Sequence, residues 1–119
     1  MIFPDQIDKL VTKLTELTAK DKVEWKETGN ATTYLASVDK FVVTINRTGS
    51  EVNGGFSFQI LERTGRAVEG VTAHVGRDKS ASENANWERL RDLYEIARRR
   101  ALHSEKVVSE LLASLERIA

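Results

Sequence analysis

From residue 22 to about residue 75 apolar side chains recur at every second position, and on either side of that stretch they recur at helical spacing. Period two in the middle with period 3.6 at both ends predicts an α+β domain, one sheet with helices packed on it. At the N-terminal end Ile7, Leu10, Val11, Leu14 and Leu17 follow the i, i+3, i+4, i+7 rule and predict a helix over about 4–19. Pro4 suits its first turn, where a missing N–H costs nothing. Lys9, Lys13 and Glu16 fall off the stripe, so the helix is expected to cover the sheet with one face.

Five strands are expected. Residues 22–26 alternate charge around Val23 and Trp25, the pattern of a strand with one wet face, and Thr28-Gly29-Asn30 makes a turn. Strands follow at 33–37 and 40–46, joined tightly at Val38-Asp39, and the second of them, with Phe41, Val43 and Ile45 on one face, is expected at the sheet centre. A glycine-rich connection over 49–55 leads to the row Phe56, Phe58 and Ile60. Thr64-Gly65 signals a second hairpin into an edge-like strand over about 66–75, interrupted at Gly70 and expected to be the weakest.

Beyond a polar segment over 76–86, where Ser80 with Glu83, or Asn84, could cap a helix, the helical period returns. A helix over about 86–101 carries Trp87, Leu90, Leu93, Tyr94 and Ala97 on a stripe wide enough to touch more than one neighbour. A last helix over about 104–117 sets Val107, Val108, Leu111, Leu112, Leu115 and Ile118 on one strongly apolar face. The expected fold is therefore a single antiparallel meander of about five strands with an N-terminal helix and two C-terminal helices. Three apolar helix faces then compete for one strongly apolar sheet face. Either the last two helices pack as a hairpin over the sheet, which alone accounts for the excess, or the face from Val107 to Ile118 is a dimer or partner surface.

A chain of 119 residues and 13.4 kDa, 40% apolar and 30% charged, suits one globular domain spanning 1–119. Eighteen basic residues balance eighteen acidic ones, so no global field draws it to nucleic acid or an anionic bilayer. With no cysteine there is no disulfide, thiolate nucleophile or zinc-thiolate site. The first residues lack a basic and apolar signal pattern and no apolar run reaches membrane-spanning length, so the cytoplasm is the expected address and no membrane contact is expected. The sequons at Asn30 and Asn46 read as chance matches on that basis.

Chemistry is sparse. His74 and His103 stand in different elements with no second ligand at helical or hairpin spacing, so neither a metal nor another cofactor is expected. No serine sits in a G-x-S-x-G elbow, and the carboxylates at Glu24 and Glu27, or Glu88, Asp92 and Glu95, alternate with basic residues as surface pairs do. The glycines of 49–55 lie between strands rather than before a helix, so they cradle no phosphate. Trp25, Tyr34 and Trp87 could form a stacking platform but are expected in the core. The most suggestive charged feature is Arg98-Arg99-Arg100 with Arg89 and Arg91 on one helix, five arginines against Glu88, Asp92 and Glu95. Successive helical residues are about 100° apart, so at most two of the triplet share a face, and cations at a helix C-terminus also complement its dipole.

Trp25-Lys26-Glu27-Thr28, Phe41-Val42-Val43-Thr44-Ile45 with Arg47, Thr64-Gly65-Arg66 and Leu93-Tyr94-Glu95-Ile96-Ala97-Arg98-Arg99 together make the chain, over about 20–117, resemble a loose group of small uncharacterised bacterial proteins. That group implies no activity, and it carries a small residue near the position of His103. The order helix, strands, helix is also similar at fold level to type III secretion chaperones, which dimerise and bind unfolded effectors. The sequence thus leads to a non-enzymatic cytosolic accessory or adaptor protein, dimeric or bound to another protein. Its candidate surfaces are Val107, Leu111 and Leu115 on the last helix and Arg89, Arg98, Arg99 and Arg100 on the one before. The alternative is a nucleic-acid or phosphate-ligand binder using those arginines with Arg47 and Arg66.

Overall fold

Alternation along the middle of the chain becomes a five-stranded sheet in the computed structural model, which describes residues 5–49, 54–74 and 81–118. The elements are α1 (Asp5–Ala19), β1 (Trp25–Glu27), β2 (Thr33–Val38), β3 (Phe41–Thr48), β4 (Gly55–Glu62), β5 (Ala67–His74), α2 (Ala81–Ala101) and α3 (Ser104–Ile118). Strands pair antiparallel in chain order, so the sheet is the expected meander with β3 at its centre and β1 and β5 at its edges. Pro4, residues 50–53 of the glycine-rich connection, and residues 75–80 with the capping candidate Ser80 lie outside the described residues.

Register puts the apolar rows on one face. Tyr34, Ile45, Phe58 and Val71 align across β2 to β5, and Trp25, Ala36, Val43 and Ile60 across β1 to β4. The opposite face carries Lys26, Thr33, Thr44, Asn46, Ser57, Gln59 and Thr72 together with the half-buried Leu35, Val42 and Leu61, so it is mainly polar. At the β2–β3 turn Asp39 takes φ 55°, a left-handed conformation that a short polar residue tolerates. Gly70 does not interrupt β5, because it pairs with Gln59. The irregularity lies at Val68, the extra residue of a bulge between the Ile60–Glu69 and Leu61–Ala67 pairs, a common device for blunting an edge strand.

α2 crosses the apolar face, burying Leu90, Leu93, Tyr94, Ala97 and Ala101 against Tyr34, Val43, Ile45, Phe56 and Phe58. Tyr94 meets Tyr34 edge-on at 5.7 Å and Phe56 at 5.3 Å. The helix begins five residues before the expected start, because its first turns carry no apolar stripe from which period could be read. Trp25 and Tyr34 are buried core residues, and Trp87 lies half-buried against Phe56 with the Arg91 guanidinium over its ring.

α1 departs from expectation: it lies along α2 rather than on the strands. Ile7, Val11 and Leu14 are buried there, and the two helices run in the same direction, since Asp8 in the first half of α1 meets Arg89 in the first half of α2 and Ala19 meets Arg100 near the ends of both. Its last turn is fastened to the sheet by Thr18, fully buried, whose hydroxyl donates to Leu14 O and accepts from Trp25 Nε1 at 2.9 Å. β1 is consequently only three residues long, with Lys22 to Glu24 spent on the crossing from helix to sheet.

α3 does not fold back over the sheet. Among the described elements it contacts α2 alone, beyond a kink at His103 with φ 51°. A compact domain of this length has a radius of gyration of about 13–14 Å. Here it is 16.0 Å, and the molecule measures 53 × 38 × 26 Å, because α3 projects.

Candidate interaction site

Two features meet where α3 leaves the body. The first is the helix itself: Val107, Val108, Leu111, Leu112 and Leu115 are each more than half exposed and Ile118 is 82% exposed. Spacing from Val107 to Ile118 puts all six on one side, so the stripe expected to seek a partner surface faces solvent along its whole length. Val107, Leu111 and Leu115, the candidates on this helix, are thus brought together on one open face. An α2–α3 hairpin that buries them is not formed, since all six stay more than half exposed.

The second feature is a cleft of about 710 Å³ at the root of α3, lined by Asp21, Lys22, Val23, Glu24 and Trp25 from the α1–β1 crossing, Ile96, Arg99 and Arg100 from α2, and His103 and Lys106. Four fixed cations face two carboxylates there. Arg100 is tied into the fold: it pairs with Asp21 at 2.9 Å and donates to Ala19 O, holding the end of α1 to the end of α2. Asp21 sits at φ 58°, one of three non-glycine residues with positive φ among those described.

The arginines do not form one anion-binding face. Arg89 and Arg100 are separated by about 16 Å along α2. Arg89 Nε lies 3.0 Å from Asp8 Oδ1, an approach off the hydrogen-bonding direction, so it is a half-exposed charge contact between helices worth a few tenths of a kcal/mol. Arg91 covers Trp87 and contacts the neighbouring Asp92. Arg98 is exposed and acts with Arg47 on the Tyr94 phenol. Burial pushes that phenol above its ordinary value and the neighbouring Tyr34 adds to the rise, while Arg47 and Arg98 hold it back. Arg66 lies at the β4–β5 turn, the opposite end of the sheet from Arg47, so the two cannot share a ligand. Arg99 and Arg100 share a lined space, the cleft.

Sequence reasoning missed the cleft because its walls come from three segments that periodicity treats separately. It also missed Thr18, although position 18 lies four residues after Leu14 and seven after Val11, on the buried stripe. No group of potential metal ligands occurs among the described residues, and none of the described helices is long and apolar enough to cross a membrane. Comparison with known proteins finds no matching family model, no matching curated protein and no matching solved structure.

Proposed function

We propose that this chain is a non-enzymatic cytosolic accessory protein that works by holding another polypeptide against the apolar face of α3. The observation that carries the reading is the exposure of six aliphatic side chains on one side of a projecting helix. A helix of 15 residues is marginal in water by itself, and most helical stability comes from packing an amphipathic face. Covering the whole of the half-exposed stripe would be worth at most on the order of 15 kcal/mol before the costs of association are deducted. That is comparable to the whole stability of a small domain, so the stripe favours an occupied state. Scattered surface leucines would need no such account, but a contiguous stripe of this size marks an interaction site.

The test is recovery of a tagged copy from its native host at low salt, alongside Leu111→Glu. Leu111 is 57% exposed, so the variant leaves the core untouched. The expected result is a stoichiometric polypeptide on the original chain that is absent from the variant. A partner retained by Leu111→Glu would contradict the reading. So would nucleic acid that is released by salt with a log-log slope near −3 to −4, as about four phosphate contacts require.

A further inference from the structure

We propose, resting on the reading of α3 as a docking face, that its occupant is a second copy of this chain. The two α3 helices pack antiparallel about a two-fold axis. Val107, Val108, Leu111, Leu112, Leu115 and Ile118, exposed by 53 to 82%, leave an apolar strip of roughly 600 Å², as large as the biggest patches monomers expose. Two such strips face to face remove at most about 1,200 Å² from water, the lower edge of the range of specific interfaces.

The pattern is self-complementary. Val108, Leu111, Leu115 and Ile118 follow the alternating three-and-four spacing of a helix-pairing seam, with Val107 and Leu112 flanking it. Antiparallel register sets Val108 against Ile118 of the second copy and Leu111 against its Leu115. Glu110, Glu116 and Arg117 lie off the seam, so no charge is trapped at the contact.

Orientation follows from the shape of the molecule. Paired helices sit about 8–10 Å apart, and the body of each copy hangs from the N-terminal end of its α3. Parallel pairing would drive both bodies into the same end of that narrow seam. Antiparallel pairing separates them by the length of the helix, about 22 Å for its 15 residues.

The chain contains no cysteine, so single-cysteine variants report without background. Sedimentation of the full chain over a dilution series is expected to give twice the 13.4 kDa chain mass. Leu111→Glu is expected to raise the dissociation constant at least about thirtyfold with the near-ultraviolet spectrum of the core unchanged, and Leu112→Lys to act in the same direction. Under mild oxidation a mixture of Val108→Cys and Ile118→Cys should give a 108–118 cross-link, while Val108→Cys alone gives no dimer. A 13.4 kDa mass at every concentration overturns the inference, as does a dimer indifferent to both substitutions or a 108–108 cross-link. If the chain is monomeric yet holds a different polypeptide that Leu111→Glu releases, self-association fails while the docking role of α3 stands. Loss of neither mass nor partner on substitution removes both.

Discussion

Thr18→Val removes one oxygen from the point where α1 is fastened to the sheet. Thr18 is fully buried, and its hydroxyl accepts a hydrogen bond from the indole N–H of Trp25, itself 2% exposed. Valine has nearly the same shape, so packing is preserved and the loss is polar: an indole donor left without a partner in the core. Leaving such a group unsatisfied costs about 1–3 kcal/mol. The bond from Thr18 to Leu14 O adds little, because that carbonyl also lies within the helix ladder. We expect a loss of about 2 kcal/mol, or a fall in Tm of about 8 °C for a domain of this size. Urea denaturation of Thr18→Val, Trp25→Phe and the double variant supplies the check, since the partner of the hydroxyl is absent in the second background. The coupling energy should be at least about 1 kcal/mol, with Thr18→Val costing little once Trp25 is phenylalanine. Strict additivity, with a coupling below about 0.5 kcal/mol, would refute the claim that this bond fastens α1 to β1.

Three further outcomes follow from the same geometry. Tyr94 has its phenol raised above the ordinary value of about 10, so the unfolded chain releases that proton first and stability is lost as pH climbs from about 10 through the folded value. Urea midpoints at pH 9, 10 and 11 should fall more steeply for the original chain than for Tyr94→Phe, and equal slopes would contradict the assignment. His103→Val, which forces a β-branched residue into φ 51°, should cost at least about 1 kcal/mol by thermal melting, whereas His103→Gly should be neutral or stabilising. Arg100→Ala, which breaks the contacts to Asp21 and Ala19 O, should lower stability by about 0.5–1 kcal/mol, and by circular dichroism should leave helix content intact.

What the sequence made legible was whatever rests on local period. Alternation through Phe41, Val43 and Ile45 and through Phe56, Phe58 and Ile60 located two central strands and their shared face, and the tight turns at Asp39 and Gly65 implied the antiparallel meander. Local period fails where no apolar residue marks the turn, as in the first turns of α2, and where a polar residue occupies a core position, as Thr18 does. It cannot say which face an amphipathic helix finds. α1 was expected on the strands and lies along α2, and α3 has the same kind of stripe yet meets only the end of α2. α3 follows a junction at which His103 takes φ 51°, and nothing in the local pattern reveals that a histidine adopts that left-handed conformation. The arginine triplet misleads for a related reason. Adjacent in sequence, Arg98, Arg99 and Arg100 point to different sides of α2, and Arg100 serves the contact with the α1–β1 crossing.

The claim that α3 is a docking helix is tested most directly by amide hydrogen exchange along it, measured on the chain as isolated at low salt with whatever it binds and again on Leu111→Glu. Fifteen residues with no packed face hold little helix in water, so protection in α3 reports its occupant. The account predicts protected amides from Val107 to Leu115 in the original chain and their loss in Leu111→Glu, with α1, α2 and the sheet unchanged. Protection of α3 that survives Leu111→Glu, or its absence from both, would contradict it.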